Sequence, residues 1–357
     1  MRRSIITGTG KYIPTEIIKN DYFLDRTFYT DEKVLFDKPA EEVIKKFEEI
    51  TEIYERRYAK QNQVTSDIGA LAAEAAIIDS GIDRNELDYV IVAHNFGDVD
   101  SEQNRMDFMP NISARVKHKL GIKNNRCRTY DMNFGCPGWV EALILAHQFI
   151  ESKLANKILV VGADMLSRLV DKYDRNSMIF ADGAGAVVLE AKEGNNENGV
   201  LSYLTICDNE DEIDYLGMGP SLNPNSFENN CTISMKGRKI YEYALKKVPA
   251  VVKTAIEKSG LDISDINKVF LHQANAKMDH AMVSRLFKLY GMSEVPENVA
   301  PMTVQFLGNT SVATVPTMYD MVVKNEMKNH TVKSGDTIVF ASVGAGMNIN
   351  ALVYKLP

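Results

Sequence analysis

Short runs of β-branched and other apolar residues alternate along the chain with longer stretches whose apolar positions recur every three to four residues, the pattern of an α/β protein. The short runs predict strands over 4–9, 89–94, 127–132, 157–163, 185–190, 200–206, 268–273, 336–342 and 349–356. Several, such as KILVVGA and GAVVLE, are apolar at almost every position, as strands covered on both faces are. The longer stretches predict helices over 65–80, 138–152, 239–259, 275–289 and 310–327. A polar segment at 191–198 and a tract at 207–230 rich in Asp, Asn, Gly and Pro interrupt the middle. The boundary between two halves, 1–195 and 196–357, is placed there.

The halves echo one another. AIIDSGIDRNELDYVIVAHN (76–95) and AIEKSGLDISDINKVFLHQAN (255–275) each run as a helix, a Ser-Gly stop, an Asp-bearing turn and a strand that ends on a histidine. Gly81 stands 13 residues before His94, and Gly260 stands 12 before His272. Further on, Gly135-Cys136 precedes a helix and the strand KILVVGA, as Gly308-Asn309 precedes a helix and the strand DTIVFAS. Two copies of one α/β unit account for the pattern.

Composition narrows the class. With 357 residues, 45% hydrophobic and 25% charged, the chain has an ordinary globular balance. Its formal net charge of −7 disfavours a nucleic-acid-coating role. No window approaches the apolar length of a membrane span. The apolar run after the two N-terminal arginines is cut by Gly8 and Gly10, so no secretory leader is expected. Four irregularly spaced cysteines make neither a disulfide framework nor a zinc pattern. A soluble, reduced, cytoplasmic protein is expected. GTGKY, DGAGAVV and SVGAGMN lack the spacing of nucleotide-phosphate loops, so their glycines are read as allowing close backbone approach around a pocket.

Cys136 stands out among the reactive side chains. Gly135 precedes it, and Pro137-Gly138 and a helical run follow, which sets it at a helix N-terminus. There the positive end of the helix dipole and free N–H groups favour a thiolate, and the same amides suit an oxyanion. The local context fits a small buried apolar residue equally well. Cys127, Cys207 and Cys231 are read as structural. Of six histidines, His272 ends a buried strand at LHQAN, where the clefts of α/β sheets lie. His94 occupies the equivalent place in the first half, and one or both are structural. His118, His147, His280 and His330 are expected on the surface. Asn309, in LGNTSVATVP, reads as a helix cap or Asx turn on local grounds.

FGCPGWVEAL (134–143), VVGADMLSRLVDKYDRNSMIFADGAGAVVLE (160–190), LHQAN (271–275) and GNTSVATVP (308–316) together resemble the β-ketoacyl-acyl carrier protein synthase III enzymes, over nearly the whole chain. The resemblance implies the thiolase fold, two pseudo-duplicated halves in five αβαβα layers, which also explains the internal echo. It implies a catalytic Cys136, His272 and Asn309, where related enzymes carry a second cysteine, a glutamate or a second histidine. Cys136 would attack an acyl thioester and hold the acyl group covalently. His272 and Asn309 would polarise the carbonyl of a second thioester, whose enolate attacks the acyl-cysteine. One oxyanion site would be the backbone amides of Cys136 and Ala345, with Gly344 and Gly346 lining the pocket, and the other the His272 and Asn309 side chains. No cofactor is implied beyond acyl-CoA or acyl-carrier-protein substrates, and the partners implied are an acyl carrier protein and a second copy of the chain. Met109 takes the place of the lid residue that the partner subunit supplies.

Departures from the family pattern bear on substrate. Members that use acetyl-CoA carry Thr-Gly-Ile-x-x-Arg, with an arginine and a tryptophan that sandwich the adenine. Here the block reads TEIYERRYA (51–59), with Glu52 for the glycine and Ile50 before Thr51, and the single tryptophan, Trp139, lies beside Cys136. These changes favour a carrier-protein-bound acyl donor and a specialised pathway, similar to those forming dialkylresorcinol or cyclohexanedione rings. Fatty-acid initiation from acyl-CoA and malonyl-carrier protein is the alternative. A non-condensing acyltransferase or carrier-binding relative, and a cysteine hydrolase, are further classes. Lys277, Arg285 and Lys288 fall within about 80° on one helix face. With a second basic knot at Lys236, Arg238 and Lys239, they are candidates for docking an acidic carrier protein.

Overall fold

The computed structural model describes residues 2–100, 105–194, 198–226 and 231–357, the side chain of Cys231 excepted. Residue 195, where the boundary between halves is expected, lies outside the described residues, as does the side chain of Cys231.

The first half runs β1 (Arg2–Tyr12), β2 (Glu16–Lys19), α1 (Ala40–Thr51), β3 (Glu55–Tyr58), α2 (Thr65–Ser80), β4 (Tyr89–Ala93), β5 (Asp98–Val99), β6 (Met106–Asp107), α3 (Ile112–Lys119), β7 (Arg128–Met132), α4 (Gly138–Glu151), β8 (Lys157–Met165) and β9 (Asp182–Glu193). The second runs β10 (Gly199–Cys207), β11 (Leu216–Pro220), β12 (Cys231–Met235), α5 (Gly237–Lys258), β13 (Ile266–Leu271), α6 (Ala276–Lys288), α7 (Val304–Leu307), α8 (Thr314–Val323), β14 (Thr337–Gly344) and β15 (Asn348–Lys355).

Two mixed sheets carry the repeat. The first has the order β1-β9-β8-β4-β7 and the second β10-β15-β14-β13. In both, the histidine-bearing strand pairs parallel with the next long strand (β4 with β8, β13 with β14), which pairs antiparallel with a hairpin-like successor (β9, β15) and then the opening strand of the half. The echo is therefore one topology used twice, with β7 added at one edge.

Three apolar clusters define the layers. One joins α2 and α3 to the outer face of the first sheet, through residues such as Ile68, Ala72, Val116 and Val161. A second joins α5 and α6 to the outer face of the second sheet, through Val252, Ile256, Met282 and Val339. Between the sheets, α4 and α8 share a third cluster that includes Trp139, Leu143, Val160, Tyr319 and Phe340. Helix, sheet, helices, sheet, helix make five layers, and every strand of β4, β8 and β14 is covered on both faces.

The structure departs from the sequence expectations at several places. His147 is not on the surface: it is buried on α4, with Nδ1 2.9 Å from Ser4 Oγ, because it falls on the side of the helix packed against β1 while Gln148 and Glu151 take the exposed positions. His330 is partly buried, with Nδ1 3.1 Å from the carbonyl of Asn298. His118 and His280 are exposed and Cys127 is buried, as expected, whereas Cys207 is exposed at the end of its strand. The predicted helix 310–327 is a 3-10 turn, Ser311–Ala313, followed by the shorter α8.

Helix α1 closes on Glu52, which sits in the left-handed region at φ 57°. A side chain there costs about 1 kcal/mol relative to glycine, and a carboxylate at a helix C-terminus faces the negative end of the dipole. Glu52→Gly is expected to stabilise the fold by about 0.5–1 kcal/mol, read as a raised midpoint of chemical denaturation. An unchanged or lower midpoint would count against this account of the turn.

Candidate active site

The strand β7 delivers the chain to a tight turn. Gly135, at φ 68°, reverses direction, and Pro137 caps α4 at φ −68°. Asn350, from β15 in the other half, donates from Nδ2 to the Pro137 carbonyl at 3.0 Å and so ties the start of α4 to the second sheet. Cys136 stands between these two fixed points.

The loop Gly344–Gly346 closes over the turn. A Cβ on Gly135 would fall 2.8 Å from the nitrogen of Ala345, and one on Gly344 would fall 2.6 Å from the nitrogen of Cys136. Only glycine permits this approach at either position. It packs the Ala345 loop of the second half directly against the Cys136 turn of the first. Asn348 Nδ2 donates to the Ala345 carbonyl at 2.9 Å, and Asn209 Nδ2 to that of Gly346 at 2.5 Å, so the loop is held from behind.

His272 follows β13 directly, and its N–H bonds the carbonyl of Ala341 on β14 at 2.9 Å. The imidazole is buried, and Nδ1 has no partner among the described residues. Gln273 fixes what comes next: Nε2 donates to Pro301 at 2.7 Å, and Oε1 accepts the N–H groups of Thr303 and Val304 at 2.8 and 3.1 Å. That anchors the short helix α7 and the loop after it. Gly308 turns at φ 70°, and Asn309 then pairs like a one-residue strand with the segment before β9, through Asn309 N to Ile179 O and Ala181 N to Asn309 O, both 2.9 Å.

Asn309 is buried, and its Oδ1 accepts the N–H of Ser311 at 2.8 Å. The Asx turn expected on local grounds is present, and because it occupies the carboxamide oxygen, what Asn309 has to offer a ligand is its N–H2 pair. Ser311 Oγ lies 3.3 Å from Cys136 Sγ. The backbone of Ser311 also lies against the His272 ring. Cys136, His272 and Asn309, 173 residues apart along the chain at the extremes, thus converge on one residue of the Asn309–Ser311 turn.

Electrostatics at the site runs against the simple helix-dipole expectation. Burial pushes the Cys136 thiol up to about 11, reinforced by Asp164 and opposed by the Ser311 hydroxyl. Burial pushes the His272 imidazole down to about 4, partly offset by the Ser311 backbone. The resting pair at neutral pH is therefore neutral thiol and neutral imidazole. Asp164, wholly enclosed, is pushed up to about 6 and accepts the backbone and side-chain N–H groups of Asn95 at 2.8 and 2.6 Å.

His94, at the matching position of the first half, is bonded away from this cluster. Its Nδ1 accepts the N–H of Gly97 at 3.1 Å, which leaves the proton on Nε2 to donate to Asp131 at 2.9 Å. Of the two histidines, this one is structural.

A groove of about 940 Å³ lies alongside, walled by Phe36, Phe47, Ile50 and Ile179 and rimmed by Lys38, Lys45, Lys46, Arg175 and Arg238. Its lining reaches Ala274 and Asn275, just past His272, and does not include Cys136. Phe36 lies over the Arg175 guanidinium, 5.0 Å from it to the ring centroid. Arg238 also pairs with Glu242. Lys277, Arg285 and Lys288 are exposed on α6, with Arg285 donating to the Leu245 carbonyl at 3.1 Å. Met109 is 88% exposed. Among the residues that sequence reasoning passed over, Ser311, Asn95, Asp164 and Gln273 do the most to hold the cluster; all four lie inside the motifs quoted above, but nothing in the motifs singled them out from their neighbours.

Two repeated α/β halves that bring a cysteine, a histidine and an asparagine to their junction define a thiolase-fold condensing enzyme. Residues 130–209 match the family described as 3-oxoacyl-[acyl-carrier-protein (ACP)] synthase III, and residues 256–356 match its C-terminal part. A β-ketoacyl-[acyl-carrier-protein] synthase III of Clostridium acetobutylicum is 34% identical over 98% of both chains, and one of Paracoccus denitrificans is 29% identical over 99% of this chain and 100% of its own. Among solved structures, the synthase III of Thermus thermophilus superposes with a TM-score of 0.80 at 28% identity over 99% of both chains. The priming β-ketosynthase of the R1128 polyketide pathway superposes at 0.81 with 25% identity, over 100% of this chain and 97% of its own. The chain belongs to the β-ketoacyl-acyl carrier protein synthase III family, acyl-transferring enzymes that form carbon–carbon bonds by Claisen-type condensation.

Proposed function

We propose that the chain condenses two acyl thioesters through an acyl-Cys136 intermediate, taking the first acyl group from a carrier protein and acting in a specialised pathway of the dialkylresorcinol or cyclohexanedione kind. The observation that carries the chemistry is the convergence of Cys136, His272 and Asn309 on the Asn309–Ser311 turn.

The steps follow from the groups present. The Cys136 sulfur attacks the donor thioester, its proton ends on the sulfur that departs as the donor thiol, and the acyl group stays on Cys136. The second thioester then binds with its carbonyl oxygen facing the His272 N–H and the Asn309 N–H2. Loss of carbon dioxide or of a proton leaves an enolate, whose negative oxygen these donors stabilise. The enolate carbon attacks the acyl-cysteine carbonyl, whose oxygen is met by the amides of Cys136 and Ala345, and the cysteine sulfur leaves. Gly344 and Gly346 give the loop the close backbone approach this requires. No cofactor enters any step.

Donor choice rests on the groove. Phe36 and Arg175 pack on one another at the groove, no tryptophan among the described residues lines it, and Ile50 and Glu52 stand in the altered block. An acidic carrier protein would meet Arg238 at the groove and Lys277, Arg285 and Lys288 on α6. A second copy of the chain would receive Met109, which is exposed in one copy, as a pocket lid.

Matched acyl-carrier-protein and acyl-CoA donors, read by intact mass of the enzyme, test the reading. Acylation is expected to be faster from the carrier protein by about tenfold or more, the effect of one complementary patch. Equal rates, with malonyl-carrier protein consumed to a short β-ketoacyl product, would instead establish fatty-acid initiation. Release of free acid as the main product, or an adduct that never condenses, would overturn the condensing role.

A further inference from the structure

We infer that Ser311 is the positioning residue of the site, its hydroxyl holding the Cys136 sulfur while its backbone N–H turns the Asn309 carboxamide to present its donors. This rests on Cys136 being the nucleophile.

The hydroxyl has one proton to give and lone pairs to receive. Asn95 donates to Ser311 Oγ from Nδ2 at 2.9 Å, and the Ser311 hydroxyl stands between two acceptors, Cys136 Sγ at 3.3 Å and the Asp164 carboxylate. Asn95 is itself held at two points by the buried Asp164, through its backbone N–H and its Nδ2. A chain of hydrogen bonds therefore runs from Asp164 through Asn95 and Ser311 to the sulfur. A hydroxyl that donates to sulfur favours the thiolate over the thiol, against the burial and the Asp164 charge that disfavour it.

The backbone of Ser311 is the second part of the device. It lies in the left-handed region, at φ 52°, although the residue is not glycine. Backbone in that region is retained where surrounding contacts over-determine it, and such positions gather at functional sites. Here the contacts are the Asn309 Oδ1, the Cys136 sulfur and the Asn95 amide. One residue so tethered couples the nucleophile of the first half to the asparagine of the second.

The test is alkylation of Cys136 by iodoacetamide across pH 7–10, with the exposed Cys207 of the same sample as the reference thiol and the two sites separated by peptide mass. Ser311→Ala and Ser311→Gly are both expected to slow Cys136 alkylation about tenfold at each pH, leaving Cys207 unchanged, because both remove the hydrogen bond to the ionised sulfur. Asn95→Ala is expected to act in the same direction. Gly relieves the φ strain that Ala retains, so a rate loss shared by both assigns the effect to the hydroxyl. A wild-type alkylation profile in a folded Ser311→Gly variant would overturn the inference. Failure of the wild-type Cys136 to react at any of these pH values would overturn the nucleophile assignment instead.

Discussion

Cys136→Ala is expected to take up no acyl group and to lose carbon–carbon bond formation by at least about 10⁴-fold, while His272→Ala is expected to keep the acyl-enzyme and lose the condensation product by about 10²–10⁴-fold. The split separates the two half-reactions. Removing the sulfur removes the atom on which the acyl group is held, so nothing downstream proceeds. Removing the imidazole leaves the sulfur, the Cys136 and Ala345 amides and the start of α4 in place, because His272 is tied to the rest of the site through its backbone bond to Ala341. What goes is one of two donors to the developing enolate. Intact mass after a single donor, followed by product analysis after the second, reads both effects in one sample. Unchanged product formation in His272→Ala would refute its assignment.

The same imidazole sets a pH limit. Because burial holds His272 down to about 4, below its ordinary value, it stays neutral as pH falls through the usual histidine range and becomes charged only on passing about 4. Condensation is expected to persist at pH 5–6 and to fall as pH drops through about 4. Loss of condensation near pH 6.5 that persists in Asp164→Asn, which removes the neighbouring carboxyl that burial holds at about 6, would contradict a buried neutral imidazole.

Gly344→Ala is expected to cost about 10²–10³-fold in turnover while the protein still folds. The glycine is extended, at φ −173°, so the backbone accepts any residue; the obstacle is space. Its Cβ would meet the Cys136 nitrogen at 2.6 Å, the Pro137 Cδ at 2.7 Å and the Cys136 Cβ at 2.8 Å, and none of these is the end of a flexible side chain. The Ala345 loop and the Cys136 turn must move apart, and their two amides cease to converge on one oxygen. Gly217→Ala, with nothing within 4 Å of the new methyl, is the control and is expected to leave activity unchanged. Wild-type turnover in Gly344→Ala would show that the shared amide site is not used.

Much of this architecture is readable in the residues. The nine strands expected from apolar β-branched runs are all present, most of them buried, as β4, β8, β14 and β15 are, although β7 at the sheet edge is not. Helix α1 is absent from the sequence expectations, although Val43, Ile44 and Phe47 stand at helical spacing after Pro39, because the many charges of its segment mask the pattern. The two-residue strands β5 and β6 and the paired strands β2–β3 and β11–β12 left little trace, because short strands are fixed by pairing rather than by apolar content. His147 misled for another reason: its burial is set by Ser4 on β1, far away in sequence, and not by the polarity of its own helix, whose Gln148 and Glu151 are exposed.

By itself, the order of residues determined the repeated α/β unit, the strand-to-helix turn that carries Cys136, the strand end that carries His272 and the Asx turn at Asn309, because each depends on neighbours close in sequence. Tertiary structure alone decided that these three meet at Ser311, that His94 is bonded into the framework while His272 is not, and that the thiol is raised rather than lowered. Those outcomes come from contacts between halves far apart along the chain and from the loss of water at their junction, and neither distance nor hydration is written in any local run of residues.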